Sequence, residues 1–245
     1  MKTFLVFLLM SLLSFVRGFA QDAKNKVVEE LKAVAVKYQN STGLSFDVMY
    51  RYAQEESPSL FLDSLKGKYT LNGKRFAYAI DQTETFFDGE YILVIYKDDS
   101  LMYLSKPLQQ EAIVSSPFMM LDSLLKKNNL QFTWEERENV KNATLLFPGD
   151  PQIKSITYEI DKTSGYLNKI IQVVNSAQLY DPQVAASLVD QHRFSLVEMI
   201  FENYSKSDSD SDLFNLKQYV KKEGTAYKPQ FPYQSYKVFL ADPNL

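Results

Sequence analysis

The sequence predicts a mainly β protein of the α+β class, with two blocks of consecutive antiparallel strands and a short helix between them. Between Gly67 and Val174, runs with the composition of strands alternate with turn signals. Asn72-Gly73 and Asp88-Gly89 stand between such runs, and both pairs favour hairpins because they tolerate positive φ. One apolar segment, 116–121, interrupts the strands and has a proline at its second position. These three observations predict the order of the elements.

The first twenty residues have the composition of a secretory signal peptide. Lys2 supplies the positive start, Phe4 to Val16 is apolar apart from two serines, and Gly18 and Ala20 are small residues at the cleavage positions. We expect cleavage after Ala20, which leaves residues 21–245 as a single exported domain. No later apolar run reaches the length of about 18 residues that a membrane span needs, so we expect none after cleavage.

Composition disfavours several classes of partner and of chemistry. Cleavage would remove Lys2 and Arg17, which leaves 25 of the 27 basic residues against 30 acidic ones, a net charge of about −5. A negatively charged chain is a poor ligand for nucleic acid. The absence of cysteine excludes disulfides, thiolate metal sites, cysteine nucleophiles and the lipid-modified cysteine that a lipoprotein carries. We therefore expect no nucleic-acid partner, and the chain is not itself a lipoprotein.

An amphipathic helix and a strand are predicted ahead of the first block. From Asp22 to Gln39, apolar residues recur every three or four positions with Lys and Glu between them, and Gly43 follows as a stop signal. From Leu44 to Tyr52 the sequence alternates as a strand, and the segment 55–58 ends it. The apolar stripe of the helix comprises Val27, Val28, Leu31, Val34, Ala35 and Tyr38.

The first block contains a strand that is apolar on both faces. Tyr91 to Tyr96 has no charged or amide residue, whereas an antiparallel strand with one face in water needs polar residues at alternate positions. Both faces must therefore be covered, either by core or by a hydrophobic ligand. The strands predicted in this block are Lys68 to Leu71, Arg75 to Ile80, Thr83 to Phe87, Tyr91 to Tyr96 and Leu101 to Leu104.

The second block follows a short predicted helix. Pro117 precedes it, and Phe118, Leu121 and Leu125 lie on one helical face. Lys126-Lys127 are predicted in its last turn, where cations interact favourably with the helix dipole. The strands predicted next are Leu130 to Trp134, Ala143 to Phe147, Ser155 to Ile160 and Leu167 to Val174, with a hairpin loop at Asp161 to Gly165.

The pattern weakens after Asn175. Pro182 to Val189 favours a short helical turn, Phe194 to Tyr204 a further strand, and Tyr236 to Leu240 an apolar strand. Ser205 to Asp212 is a low-complexity run of Ser, Lys and Asp, which favours a loop. Its aspartates lack the glycine and distal glutamate of an EF-hand, so we predict no metal site there.

No catalytic constellation is evident. His192 is the single histidine, and no Gly-x-Ser-x-Gly segment accompanies it. One histidine without cysteine disfavours zinc, and no Gly-rich phosphate loop is present. We expect no enzymatic activity and no cofactor. A cell-envelope hydrolase that works through two carboxylates stays open, because Asp and Glu pairs meet in space rather than in sequence.

Aromatic residues are abundant instead, with 16 Tyr and 17 Phe in the chain. A cavity lined by Tyr, Phe, Leu and Met could hold acyl chains while the tyrosine hydroxyls keep its rim hydrated. The same residues could equally fill an ordinary core. The sequence leaves both interpretations open.

The order and spacing of several segments carry a family resemblance. The most specific segment is Ser116 to Leu121, with Gly67, Thr83 to Tyr96 and Ile156 to Val174 as further matches. Together they resemble the LolA-like family of periplasmic lipoprotein carriers, which has a similar Thr-Pro-Phe-Met-Leu type segment between its two sheet blocks. The resemblance extends from the first helix to Val174, and the longer C-terminal part, from residue 175, diverges.

The resemblance implies an unclosed antiparallel half-barrel of about 10–11 strands, with short helices covering its concave apolar face. In that family, acyl chains of a lipoprotein bind between the sheet and a helical lid. An arginine in a Lys-Arg-Pro segment helps to hold the lid closed. Arg75, displaced and without the proline, is the candidate latch here. The implied sheet wall comprises Tyr69, Leu71, Phe76, Tyr78, Ile80, Phe86, Ile92, Val94, Tyr96 and Met102, and the lid Phe118, Met119 and Met120.

The resemblance also implies partners and a location. The chain would be a periplasmic carrier that receives an acylated lipoprotein or another lipid from an inner-membrane donor and delivers it to an outer-membrane acceptor. We expect it to be a monomer. The alternative is a non-catalytic cell-envelope interaction module of the same fold, which docks a protein or a glycan and fills its half-barrel with its own side chains.

Overall fold

The computed structural model describes residues 22–107, 121–179, 193–206, 212–224 and 226–241. The predicted signal peptide, the helical turn over 182–189 and His192 lie outside the described residues. The elements within them are α1 (22–39), β1 (Thr42–Gln54), β2 (Phe61–Asn72), β3 (Arg75–Ile80), β4 (Thr83–Phe87), β5 (Ile92–Tyr96), β6 (Leu101–Ser105), α2 (Leu121–Leu125), β7 (Gln131–Glu136), β8 (Val140–Leu146), β9 (Ile153–Asp161), β10 (Leu167–Asn175), β11 (Phe194–Lys206), β12 (Val220–Glu223), β13 (Ala226–Pro229) and β14 (Lys237–Leu240). The predicted mainly β class is confirmed.

Twelve of the described strands form one sheet that does not close into a barrel, and β12 and β13 form a separate hairpin. The order in the large sheet is β14-β6-β5-β4-β3-β2-β1-β11-β10-β9-β8-β7. Two antiparallel meanders, β2 to β6 and β7 to β10, correspond to the two predicted blocks. They are joined through β1 and β11, which are neighbours in the sheet although they lie far apart in the sequence. The predicted unclosed sheet is therefore confirmed.

One pairing departs from the predicted antiparallel arrangement. β14 lies parallel to β6, with Lys237 opposite Leu101 and Leu240 opposite Leu104. Parallel neighbours need a long connection rather than a tight turn, and here the whole second block lies between the two strands in the sequence. This pairing could not be predicted, because the alternation of apolar residues does not identify the neighbour of a strand.

The described chain divides into two compact units. Unit 1 takes its described residues from Met1–Val34, Arg51–Asp63 and Ser123–Ile200, and unit 2 from Ala35–Tyr50, Ser64–Asp122 and Phe201–Leu245. The elements α1, β1, β2 and β11 contribute residues to both units.

In unit 1, the first part of α1 lies against strands β7 and β8. Val27, Leu31 and Val34 are buried along one side of the helix, as the amphipathic pattern predicts. At its polar margin, Lys26 Nζ donates to Glu136 Oε1 at 2.7 Å. The bounds of α1 match the predicted helix, although Val28, predicted within the apolar stripe, is only half-buried.

Two local predictions were wrong. β2 begins at Phe61 rather than at Lys68. The first residues of this strand are exposed and do not alternate between apolar and polar side chains, so the sequence carries no strand signal there. α2 ends at Leu125, so Lys126 and Lys127 follow the helix instead of lying in its last turn. Lys127 pairs with Asp150 of unit 1, and this ion pair explains the position of the cation better than the helix dipole does.

Glu136 is expected to protonate at an unusually low pH. Hydrogen bonds from Lys26, Trp134 and Lys162 favour its charged form and lower its pKa from 4.5 to about 2. Because the pKa is lowered in the folded state, these bonds stabilise the fold above pH 4.5, and the stabilisation is lost as the pH falls towards 2. In an NMR titration of the side-chain carboxyl carbon, Lys26→Met should move the midpoint towards 4.5, whereas Lys24→Met should not. Equal midpoints in the two variants would contradict this assignment.

Candidate functional site

Strands β2 to β6 of unit 2 have two faces with different surroundings. Residues that are directly paired across antiparallel strands share a face of the sheet. The register therefore assigns Tyr69, Tyr78, Thr85, Val94 and Tyr103 to one face, and Thr70, Ala77, Phe86, Leu93 and Leu104 to the other. We call the first the aromatic face and the second the tail face.

The tail face is packed by the C-terminal part of the chain. Leu93, Ile95 and Met102 have no exposed surface. Phe214, Leu216 and Val220, which follow β11, belong to the same hydrophobic cluster. The tail face is therefore the core of unit 2, and it accounts for one of the two covered faces that the sequence of β5 requires.

A row of aromatic rings crosses the aromatic face. Phe46 of β1 stacks on Tyr69 with ring centroids 5.4 Å apart and the planes within 1° of parallel. Tyr69 stacks on Tyr78 at 5.2 Å, and Tyr78 on Phe76 at 6.0 Å. Phe76 continues the row to Phe87 at 5.4 Å. These separations are typical of favourable aromatic pairs, so the row forms a continuous aromatic cluster across four adjacent strands. Phe46, Phe76 and Phe87 are buried in it, and Tyr69 and Tyr78 are half-buried.

Along β5 and β6 the aromatic face is less tightly packed than the tail face. Along β5, Leu93 and Ile95 on the tail face are fully buried, while Ile92 and Val94 on the aromatic face are half-buried. The half-buried residues of the aromatic face from Tyr69 onwards include Tyr69, Tyr78, Ile80, Thr83, Ile92, Val94 and Leu101. Alternate residues of the same strand therefore have different roles, one set in the core and the other on a partly open apolar surface.

The aromatic face is also uncharged. Its fifteen positions from Gly67 in β2 to Ser105 in β6 hold only apolar residues, glycine, Tyr, Thr and Ser. The hydroxyls of Tyr50 and Tyr69 bond to each other at 2.8 Å. Burial, with a contribution from Tyr50, raises the pKa of Tyr69, so this phenol stays neutral. The hydroxyls of Tyr38 and Tyr204 also bond to each other. Two pairs of tyrosine hydroxyls at this surface thus satisfy each other.

Eight of the ten wall residues inferred from the family resemblance share the aromatic face: Tyr69, Leu71, Phe76, Tyr78, Ile80, Ile92, Val94 and Tyr96. Phe86 and Met102 lie on the tail face instead, and we remove them from the wall. Phe86 and Phe87 are adjacent and equally apolar, so a period of two cannot choose between them. Phe87 and Phe46 belong to the aromatic row, and sequence reasoning missed both. The strand register identifies Phe87, and the stacking of its ring on Tyr69 identifies Phe46.

Arg75, the candidate latch, lies on the tail face. Its guanidinium carbon is 5.1 Å from the centre of the Phe214 ring, a cation–π contact with the C-terminal segment. Arg75 therefore contacts the C-terminal segment that packs on the core. It lies on the opposite side of the sheet from the aromatic face, so it is not placed to hold a lid there. The predicted lid residues Phe118, Met119 and Met120 lie outside the described residues.

Two further features bear on the type of site. Among the described residues, no three His, Cys, Asp or Glu side chains lie close enough together to hold a metal ion. Within the same ranges, no helix combines the length and the apolar composition needed to cross a membrane.

Comparisons with known proteins give matches among solved structures alone. No family model matches the chain, and no curated protein matches it. A conserved protein of Thermus thermophilus is similar with 10% identity and a TM-score of 0.49, over 88% of this chain and 99% of that one. A chain of the MucA/MucB complex of Pseudomonas aeruginosa is similar with 11% identity and a TM-score of 0.37, over 77% of this chain and 60% of that one.

A LolA superfamily protein of Nitrosomonas europaea is also similar, with 10% identity and a TM-score of 0.31, over 72% of this chain and 93% of that one. LolA superfamily structures are thus among those that this chain resembles, as the sequence motifs predict. At these TM-scores the likenesses carry no functional assignment, so we base the function on this chain's own residues.

Proposed function

We propose that the aromatic face of unit 2 binds acyl chains, and that the protein is a periplasmic carrier which moves a lipoprotein or a related lipid towards the outer membrane. The observation that carries the proposal is an uncharged sheet face on which Tyr69, Tyr78, Ile92 and Val94 are half-buried, opposite the packed cluster that contains Leu93 and Ile95. Covering apolar surface is favourable by about 25 cal/mol per Å², so an apolar ligand gains free energy on this face. The predicted signal peptide and the family resemblance support the location.

The chemistry of the face favours an acyl chain over a glycan. A sugar needs hydrogen-bond partners for many hydroxyls, and a buried polar group without a partner is costly. The aromatic face has hydroxyls but no amide or charged side chain, and the hydroxyls of Tyr50 and Tyr69 already bond to each other at 2.8 Å. A methylene chain has no hydrogen bonds to lose, so the face suits it better.

Binding should depend on chain length if this proposal is correct. Each buried methylene contributes about 0.8 kcal/mol, so the dissociation constant of fatty acids from octanoate to laurate should fall about fourfold per added methylene. Titration with these fatty acids, read by displacement of a fluorescent fatty acid, would measure it. Native mass spectrometry with lipid extraction would show whether an acyl ligand accompanies the purified protein.

Two controls separate binding from non-specific association. A peptide carrying an N-terminal acylated cysteine should bind, and the same peptide without acyl chains should not. Equal affinity for both peptides would favour the protein-docking alternative. A purified protein that carries no lipid and shows no dependence on chain length would overturn the carrier proposal.

A further inference from the structure

Unit 2 contains a cavity on the tail face, away from the aromatic row. Its volume is about 450 Å³. The register places Lys68 and Thr70 of β2, Ala77 and Ala79 of β3, and Glu84 and Phe86 of β4 on the tail face. The lining residues are Ser45, Lys68, Thr70, Ala77, Tyr78, Ala79, Glu84, Phe86 and Leu213.

The cavity exists because small residues fill adjacent positions on three strands. Thr70 lies opposite Ala77, and Lys68 lies opposite Ala79. Ser45 of β1 continues the row, because its Oγ lies 3.4 Å from Thr70 Oγ1. Further along the same face, the large side chains of Leu93 and Ile95 pack against the C-terminal segment. Ser45, Thr70 and Ala77, on β1 to β3 of the same face, have side chains too short to fill the space that such large side chains occupy.

One side of the cavity is polar but neutral. Ser45 and Thr70 are buried, with 5% and 8% of their surfaces exposed. Ser45 Oγ donates to the carbonyl oxygen of Tyr69 at 3.0 Å, which satisfies its proton. Its oxygen lone pairs and the hydroxyl of Thr70 can still bond to a ligand.

The charged groups of the cavity differ in their partners. Glu84 is held by Lys97, with Nζ and Oε1 2.7 Å apart, and by the hydroxyl of Tyr233 at 3.3 Å from Oε2. Lys68 makes no ion pair with any residue in the part of the chain that the structure describes. Lys68, which is exposed, is therefore a lining cation without an ion-pair partner among the described residues, and Glu84 is already paired.

We infer that this cavity binds a small amphipathic carboxylate, which is a second ligand site separate from the proposed acyl site. The carboxylate pairs with Lys68, the apolar body packs between Phe86 and Leu213, and a ligand hydroxyl reaches Ser45 and Thr70. The volume equals that of about 15 water molecules at about 30 Å³ each, which limits the ligand to a comparable number of non-hydrogen atoms. Octanoate and laurate also fall within this limit, so volume does not separate the two sites; the cation of Lys68 distinguishes the cavity from the uncharged aromatic face.

Methyl NMR distinguishes the two sites in one experiment. The methyl groups of Thr70, Ala77 and Ala79 report on the cavity, and those of Ile80, Ile92 and Val94 report on the aromatic face. Titration of the full mature chain with 4-hydroxyphenylacetate, a carboxylate with a ring and a hydroxyl, should shift the first set in a saturable manner and leave the second set unchanged. Laurate should shift the second set if the proposed function holds.

Two pairs of variants test the recognition. Lys68→Met should raise the dissociation constant of 4-hydroxyphenylacetate about tenfold, because a charge-assisted hydrogen bond is lost. Lys74→Met removes the same charge from an exposed turn of the same unit and should leave the constant unchanged. Ala79→Leu fills the cavity and should abolish binding, and its melting temperature would confirm that it folds. Thr70→Val removes a hydroxyl from the cavity, so it should weaken binding of 4-hydroxyphenylacetate more than that of phenylacetate, which has no hydroxyl.

Three results would overturn the inference. The first is the absence of any shift in the cavity methyls of the folded protein at millimolar ligand. The second is a shift confined to the methyls of Ile80, Ile92 and Val94, which would place the carboxylate on the aromatic face. The third is equal affinity of the Lys68→Met and Lys74→Met proteins, which would exclude recognition of the carboxylate by Lys68.

Discussion

Leu93→Ala is expected to lower the free energy of unfolding by about 2–5 kcal/mol, the usual cost of truncating a fully buried leucine. Val94→Ala, at the next residue of the same strand, should cost about 1 kcal/mol, because its side chain is half-buried and loses fewer packing contacts. Leu93 has no exposed surface and packs in the cluster with Phe214 and Leu216. Urea denaturation followed by circular dichroism would measure both values.

The same pair of variants should behave in the opposite order in ligand binding. At a temperature where both proteins are folded, Leu93→Ala should bind laurate like the wild-type protein, and Val94→Ala should bind it more weakly. Equal costs in stability would contradict the assignment of the two faces. A loss of laurate binding in Leu93→Ala with none in Val94→Ala would place the ligand on the tail face instead.

Val94→Asp is expected to reduce laurate affinity at least about thirtyfold. The substitution places a carboxylate in the middle of an uncharged face, where an acyl chain would have to desolvate it, and burying a charge without a partner is costly. Val94 lies opposite Thr85 on one side and Tyr103 on the other, so the new charge has no cation directly across either strand. Fatty-acid displacement titration would measure the change.

Controls decide whether this loss is specific. Thr133→Asp introduces the same charge at an exposed position of β7 in unit 1 and should leave laurate affinity unchanged. If Val94→Asp does not fold, Val94→Thr keeps the shape of the side chain and adds a hydroxyl, and it should weaken binding about threefold to tenfold. Wild-type affinity in a folded Val94→Asp protein would exclude the aromatic face as the acyl site.

The sequence determined the elements whose signals are local. Arg75 to Ile80 and Thr83 to Phe87 were predicted with the bounds that β3 and β4 have in the structure. Turns at Gly73 and Gly165 were also predicted, and both glycines adopt positive φ. The helix α1 has the predicted bounds because three- and four-residue spacing marks a buried stripe directly. In each case one short segment contains the whole signal.

The tertiary structure alone decided which residues face which neighbours. A strand that is apolar at every position, such as Ile92 to Tyr96, has no alternation to show which side is core. In the structure, the C-terminal segment packs on Leu93 and Ile95, and this contact determines which side of the strand is core. The parallel pairing of β14 with β6 and the cavity above Ala77 and Ala79 depend on the same segment. Sequence periodicity records how one strand alternates, whereas core, surface and cavity arise from contacts between residues that are distant in the chain.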